Sequence, residues 1–258
     1  MNGMNIALVG TGNVAWHFVQ ATKNTSIRWN AVYSRNILHR QEFSLAHGIP
    51  VIDELEKLPL DTDFVLLAIS DNAIADIDSR IPSHLPVIHT AGAVDILKLQ
   101  RAQRGVLWTL QSLKKNQPGS LKGAPFFIES SDSVLSKKMK LLVEIIGGVI
   151  YEANSAQRTT LHIAAVFANN FTNHLLTVAH ELLQKEDIPF DVLRPIIESQ
   201  YEKLQTMLPS QIQTGPAFRN DQNTIEKHLE SLAGLDEVKN IYRVMTDSII
   251  KKYHDTQL

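Results

Sequence analysis

The segment Val9-Gly10-Thr11-Gly12-Asn13-Val14-Ala15 governs the interpretation of the whole chain. The apolar run Ile6-Ala7-Leu8-Val9 stands before it and predicts a strand. After it, Val14, Phe18 and Val19 recur at helical spacing. A glycine pattern alone is weak evidence, but strand, glycine turn and helix in this order are typical of a dinucleotide site. The alternative is a tight turn that binds no ligand.

The small residues of this turn have separate roles in such a site. Gly10 permits the tight turn, Gly12 lets a pyrophosphate approach the backbone, and Ala15 lets the helix pack on the strand. The free N–H groups and the positive end of the helix then face an anion. The predicted cofactor contacts here are Gly10, Thr11, Gly12, Asn13, Val14 and Ala15.

A second predicted strand, Trp29–Tyr33, ends at Ser34 and Arg35. Sites for NAD usually carry an acidic residue at this strand end, whereas an Arg suits the 2′-phosphate of NADP. The guanidinium offers a planar fork of donors that matches phosphate. We therefore predict that Ser34 and Arg35 bind NADP. The alternative is that Arg35 is a surface residue capping the next helix, predicted over Asn36–Ala46.

Composition excludes several classes of protein. The chain has 258 residues, a formal charge of −2, 44% hydrophobic residues and 20% charged ones, which is typical of a soluble globular protein without the basic excess of nucleic-acid binders. Since it has no cysteine, disulfides and thiolate chemistry are excluded. No apolar run approaches a membrane span, and the first strand leaves no room for a signal peptide. We expect a cytoplasmic protein that binds no metal, nucleic acid or membrane.

Strands and helices alternate through the first half, which predicts an α/β fold with a Rossmann-type, mostly parallel sheet. Ligands of such sheets lie beyond the carboxyl ends of the strands. Two further strand ends should meet the nicotinamide half of the cofactor. They carry Ile69, Ser70, Thr90, Ala91 and Gly92. As alternatives, Asp71 or Asn72 caps a helix, and His89 is a strand-end histidine bonded to backbone.

Strand signals stop near Ser155, where one helix is predicted to run to Gln184. We predict a dinucleotide-binding domain over 1–153 and a helical substrate and dimerisation domain over 154–258, a layout like that of 6-phosphogluconate dehydrogenase. Because the long helix is apolar nearly all round, it should be buried, either in its own domain or against another subunit. Further helices are predicted from Pro189, over Asn223–Ala233 and over Asp236–Tyr253.

Polar residues interrupt the apolar surface of the long helix. At about 100° per residue, His162, Asn169 and Asn173 fall on one stripe. Such side chains are costly to bury unless they have partners, so we predict that they face the cleft. His162 is the candidate proton donor, with Asn169 beside it in the catalytic set and Asn173 binding substrate. Alternatively, they bond to loops or across a dimer interface.

A loop between the later helices also carries candidate substrate ligands. Thr214 precedes the turn Gly215-Pro216, and Arg219 could clamp a carboxylate in a bidentate pair. The alternative is an interhelical loop with a structural Arg219–Asp221 pair.

Taken together, the motifs resemble a family of Rossmann-like proteins with a helical C-terminal domain of uncharacterised function. That family is related to pyrroline-5-carboxylate reductase and the deazaflavin-dependent NADP reductases. The resemblance covers nearly the whole chain and is most specific over 162–171 and Thr214-Gly215-Pro216. It implies an NADP-dependent oxidoreductase that forms a homodimer through its helical domains. Some members resemble a ketopantoate reductase in role.

Two departures from that family's pattern concern the substrate. Where it commonly has His-Pro, this chain has Trp108-Thr109, which puts a substrate contact there in doubt. Its Arg-Gly-Asp loop is Arg219-Asn220-Asp221 here, and Asn tolerates left-handed backbone angles better than most residues. The similar β-hydroxyacid dehydrogenases use a Lys on the long helix as the acid. Since no Lys occurs over 141–184, His162 is the obvious replacement.

Three functional hypotheses follow from the sequence. The first is a reductase that passes a hydride from NADPH to a small C=O or C=N substrate. The second is an NADP-binding sensor or scaffold without catalysis, which predicts binding but no turnover. The third is a structural dimer with an unused nucleotide fold, which predicts no NADPH binding.

Overall fold

A computed structural model describes residues 3–115 and 121–254. The chain divides into two compact units, the first ending at Asn169 and the second beginning at Asn170. The predicted domain boundary at 153/154 falls between the last strand and the helix Ser155–Ala165, and this helix clusters with the sheet.

The first unit is built on one seven-stranded sheet in the order β2-β1-β3-β4-β5-β6-β7. The strands are β1 (Met4–Val9), β2 (Ile27–Tyr33), β3 (Phe64–Leu67), β4 (Val87–His89), β5 (Arg104–Thr109), β6 (Pro125–Ser130) and β7 (Val149–Glu152). All neighbouring strands are parallel except β5 and β6. The predicted Rossmann-type, mostly parallel sheet is therefore confirmed.

The described residues of this unit form five α-helices. They are α1 (Asn13–Ala21), α2 (Ile37–His47), α3 (Ile74–Arg80), α4 (Ser133–Ile146) and α5 (Ser155–Ala165). Two apolar cores form because both faces of the parallel strands are covered, as their continuous apolar runs require. One core joins the sheet to α1 and α4 around Phe18 and Phe126, and the other joins it to α3 around Ile74 and Ile77.

The second unit is helical. Its helices are α6 (Thr172–Gln184), α7 (Arg194–Leu204), α8 (Gln222–Ser231) and α9 (Asp236–His254). A π-helical segment, Val166–Phe171, stands between α5 and α6, so the predicted 155–184 helix is helical throughout but not uniformly α. The prediction that this helix is buried within its own domain is wrong. Ile163 is 56% exposed, and none of the described residues of α6 is buried.

The described residues lack two features of other classes of protein. Among the helices of this part of the chain, none combines the length and apolar character that crossing a membrane requires. The same residues contain no group of three or more His, Asp or Glu side chains that could hold a metal ion.

Candidate functional site

A cavity of about 600 Å³ opens at the carboxyl edge of the sheet in the first unit. It lies where β1, β2 and β3 end and where α1 begins. Its lining includes ten of the thirteen predicted cofactor contacts. These are Gly10, Thr11, Gly12, Asn13, Val14, Ser34, Arg35, Ile69, Ser70 and Thr90. The long-range strand pairing therefore brings together residues that are up to 80 positions apart in the sequence.

The turn after β1 depends on Gly10 for structural reasons. Its φ is +112°, a region that favours glycine, and its N–H donates to the Tyr33 carbonyl oxygen at 2.8 Å. A Cβ at this position would overlap the Ala68 carbonyl oxygen at the end of β3. Gly10 thus allows β1, β2 and β3 to end close together around the cavity.

Gly12 differs from Gly10 because the fold itself does not require a glycine there. Its φ of −82° and ψ of −165° are extended angles, and a Cβ would meet nothing within 4 Å. Gly12 is the N-cap of α1, and no side chain makes a cap hydrogen bond to that helix. The first N–H groups of α1 therefore face an open, electropositive space, which is the usual site of a bound phosphate.

The segment after β5 contacts α1, which the sequence did not predict. The Lys115 N–H donates to Asn13 Oδ1 at 3.0 Å, and the ring Nε2 of buried His17 lies 3.2 Å from the Lys114 carbonyl oxygen. Both contacts join residues about 100 positions apart. They hold this segment against the first turn of α1.

The end of β2 supports one of the two interpretations of Arg35. The cap of α2 is Asn36, whose Oδ1 accepts from the His39 N–H at 3.1 Å. The alternative in which Arg35 caps this helix is therefore wrong. Arg35 is exposed and lines the cavity beside Ser34, and within the described residues it makes no ion pair. Its guanidinium is available to an anionic ligand.

Tyr33 supports this end of the cavity, although the sequence analysis did not identify it as a site residue. The guanidinium of Arg40 lies 5.7 Å from the centre of its ring and that of Arg80 lies 6.0 Å away. Arg40 is buried and paired with Asp53 at 2.6 Å, so it is committed to the fold. No local pattern indicates Tyr33, because its position depends on three separate segments.

The ends of β3 and β4 are the ones predicted to meet the nicotinamide half of the cofactor, and the structure decides whether Asp71 or Asn72 caps a helix there. Capping by Asp71 or Asn72 is wrong, since neither the 3₁₀ turn Asp71–Ala73 nor α3 has a side-chain cap. Ser70 instead lines the cavity. Thr90 lines it as well, and its N–H and hydroxyl both donate to the Leu67 carbonyl oxygen, at 3.1 and 3.3 Å.

Three predicted cofactor contacts do not line this cavity. Ala15 is fully buried in the core that joins α1 to the sheet, which matches its predicted packing role rather than ligand contact. Ala91 donates its N–H to the Nδ1 of His89 at 3.3 Å. Gly92 is covered by the Trp108 indole, which a Cβ on Gly92 would overlap.

His89 is fully buried at the end of β4, and its ring bonds to backbone, as one alternative predicted. Burial lowers the pKa of its imidazole to about 4, and the nearby positive charge of Arg158 acts in the same direction. The folded protein therefore holds a neutral imidazole at the pH values where an unfolded chain begins to protonate it.

We expect the free energy of unfolding to fall as the pH is lowered from about 6.5 towards 4, because the unfolded state binds a proton that folded His89 does not. The loss reaches about 2 to 3 kcal/mol by pH 4.5, and the full free energy of unfolding is present above about pH 6.5. Urea unfolding of His89→Asn provides the control, since an amide oxygen can still accept from Ala91. A wild-type loss equal to that of the variant over this range would contradict the assignment.

His162 lies close to this strand end. Its ring centre is 5.9 Å from that of Trp108, and Trp108 lies against Gly92. All three belong to the first unit. The structure thus places the predicted proton donor beside the turn predicted to meet the nicotinamide, and His162 is exposed rather than absorbed into the core.

A buried polar network fixes the helix that carries His162. Arg158, one turn earlier on α5, is fully buried and donates to Glu129 on β6, to the Val94 carbonyl oxygen at 2.9 Å and to the Ser155 hydroxyl at 3.1 Å. The Ser155 hydroxyl donates to the same Glu129 carboxylate at 2.9 Å. The sequence analysis missed this network because an Arg in a helix normally indicates an exposed position.

The structure does not bring the other two candidates on the predicted long helix together with His162. Asn169 is exposed in the π segment and Asn173 is exposed on α6. The predicted alignment of His162, Asn169 and Asn173 requires 100° per residue throughout the helix. A π turn contains more residues than an α turn, so this angle does not apply between His162 and Asn173. The predicted alignment is therefore not retained.

Thr214 and Arg219 are exposed in the second unit. No ion pair joins Arg219 to Asp221 in the described residues, which argues against the structural pair. Asp221 instead caps α8, and the hydrogen bonds from Thr224 lower the pKa of its carboxyl group. Asn220 adopts the left-handed φ of 54° that its residue type allows.

Comparison with solved structures identifies the family. A Bacteroides fragilis protein, provisionally named an NADP oxidoreductase, is similar at a TM-score of 0.86 and 31% identity, over 97% of this chain and 99% of that one. The chain belongs to this family of Rossmann-like oxidoreductases. A family model described as a domain of unknown function, DUF2520, also matches residues 124–249.

More distant structures share the fold of this chain. A Thermotoga maritima protein matches at a TM-score of 0.73 and 17% identity, over 98% of this chain and all of that one. A pyrroline-5-carboxylate reductase from Streptococcus pyogenes matches at 0.67 and 14%, over 97% of this chain and all of that one. The comparison with curated proteins found no match.

Proposed function

We propose that this oxidoreductase is an NADPH-dependent reductase that transfers a hydride to a small substrate containing C=O or C=N. The single observation that carries this proposal is the open cavity at the carboxyl edge of the sheet, which runs from Arg35 past Gly12 to Thr90. The strand ends and the backbone N–H groups along this cavity suit an extended dinucleotide. The reduced nicotinamide, when bound, supplies the hydride.

Each part of the cavity has a separate task in this proposal. The first turn of α1, left open by Gly12, holds the diphosphate, and Ser34 with Arg35 holds the 2′-phosphate. Thr90 and Ser70 border the nicotinamide half. His162 delivers a proton to the oxygen of a C=O substrate, giving an alcohol, or to the nitrogen of a C=N substrate, giving an amine.

Steady-state oxidation of NADPH against a panel of 2-keto acids and cyclic imines tests the reductase. Turnover with any acceptor supports the proposal. NADPH binding without turnover favours the second candidate, a sensor or scaffold protein, and an absence of NADPH binding favours a structural dimer.

Arg35→Ala is expected to weaken NADPH binding about 10- to 100-fold, because a charge-assisted contact to the 2′-phosphate contributes roughly 1.5–3 kcal/mol. The dissociation constant of NADH, which lacks this phosphate, should change less than twofold. Isothermal titration with both cofactors measures the effect. Arg28→Ala is the matched control, since Arg28 is an exposed arginine at the opposite end of β2. Equal losses for NADPH and NADH would contradict the assignment.

We also propose a homodimer formed through the helical domain. Apolar side chains that are exposed in the single chain support it, among them Ile196 at 68% and Val244 at 59%. Apolar surfaces of this kind are typical of protein–protein contacts. Sedimentation equilibrium should give about twice the chain mass of 28.9 kDa, and a monomer at micromolar concentration would refute the dimer.

A further inference from the structure

A row of aromatic rings crosses the sheet next to the candidate site. Trp108 on β5 pairs with Phe127 on β6, and Phe127 pairs with Tyr151 on β7. The ring centres of Trp108 and Phe127 are 5.4 Å apart, and those of Phe127 and Tyr151 are 5.3 Å apart. His162 contacts the Trp108 end of this row. The row therefore ends at the predicted proton donor.

The Trp108 indole also packs against the turn after β4. A Cβ on Gly92 would overlap the five-membered ring of the indole, at 2.4 Å from its Cε2 and 2.7 Å from its Nε1. Packing therefore explains why position 92 is a glycine, because only a residue without a side chain lets the indole lie against this backbone. The contact places Trp108 directly between the Gly92 turn and His162.

The Trp108 side chain is held firmly but is not enclosed. Phe127 behind it is only 8% exposed, whereas Trp108 itself is half-buried and keeps part of its surface open. An indole supported in this way presents a rigid apolar face at little cost in side-chain entropy. Planar ligands stack favourably on such a face.

We propose that Trp108 is a specificity-determining residue whose indole forms a platform for the substrate. The proposal rests on the proposed reductase function, because it takes the Gly92 turn as the place where the nicotinamide meets the substrate. The substrate class is a C=O or C=N compound with a planar ring or conjugated group attached to the reacting carbon. That group lies on the indole while the reacting carbon faces His162.

The test uses two probes that share one reacting group, phenylpyruvate and pyruvate. Their binding to the full-length protein saturated with NADP⁺ is measured by calorimetry or ligand-detected NMR, so no turnover is needed. The wild type should bind phenylpyruvate at least about tenfold more tightly than pyruvate. Trp108→Ala should weaken phenylpyruvate binding about tenfold or more and change pyruvate binding less than twofold, because only the ring-bearing probe stacks.

Three further variants separate the platform from general damage. Trp108→Phe should retain most of the preference for phenylpyruvate. Gly92→Ala should reduce it, because the new Cβ must displace the indole. Tyr151→Ala is the matched control: Tyr151 is 49% exposed, two rings from His162, and its loss should change neither affinity.

The outcomes separate this proposal from the reductase function. Equal binding of the two probes by the wild type, including no binding of either, overturns the platform. So does a Trp108→Ala loss shared equally by both probes or matched by Tyr151→Ala. Selective binding of phenylpyruvate without NADPH oxidation on any acceptor would retain the platform and reject the reductase. Oxidation of NADPH with no ring preference would do the reverse.

Discussion

Gly12→Asp is expected to abolish useful NADPH binding, with the dissociation constant raised about 100-fold or more, while the protein remains as stable as the wild type. The new carboxylate would stand at the N-terminus of α1, where the diphosphate is proposed to bind. Two unit charges about 4 Å apart near a protein surface repel by about 4 kcal/mol. A 100-fold loss requires only about 2.8 kcal/mol.

The stability half of this prediction follows from the local geometry. Asp is among the best N-cap residues, the backbone angles at Gly12 are extended, and a Cβ there meets no atom within 4 Å. Fluorescence titration with NADPH and urea unfolding of the same preparation measure the two effects. Unfolding that is markedly easier than in the wild type would show that Gly12 is needed by the fold rather than by a ligand.

Gly10→Ala is the matched comparison because it should show the opposite order of effects. Its φ of +112° and the overlap with the Ala68 carbonyl oxygen make any side chain there costly to the fold itself. Strain and overpacking each cost roughly 1–3 kcal/mol. If Gly10→Ala were as stable as the wild type, the division of roles between the two glycines would be wrong.

His162→Ala is expected to lower kcat for NADPH oxidation by a factor of roughly 10² or more, with the NADPH dissociation constant unchanged. General acid catalysis contributes a factor of this size, and no Lys on the long helix can replace the imidazole. NADPH binding should be retained because His162 does not line the cofactor cavity. The measurement is steady-state turnover with whichever acceptor the panel identifies.

Two controls distinguish proton donation from packing. His84→Ala removes an exposed histidine from the loop between α3 and β4 and should leave kcat unchanged. Added imidazole should restore part of the turnover of His162→Ala, since it can occupy the space left by the side chain. A loss below tenfold with unchanged NADPH binding would remove His162 from the mechanism.

Several elements could be predicted because they depend on short stretches of sequence. The apolar runs before Gly10 and Ser34 predicted the first two strands, and the glycine turn predicted that α1 begins beside a cavity. Asn220 was expected to tolerate a left-handed angle and does so. The π segment Val166–Phe171 could not be predicted from periodicity, because its residues follow the same apolar pattern as the α-helix around them.

The sequence by itself determined the class of fold, the strand ends that meet at the cavity and the type of residue at each of them. These are local properties: periodicity, backbone freedom and side-chain chemistry are present in any window of a few residues. Only the tertiary structure decided that Trp108 lies between Gly92 and His162, and that Glu129 and Ser155 form one network with the buried Arg158. Both arrangements join residues from separate strands and helices, so they arise from packing and have no local pattern that could reveal them.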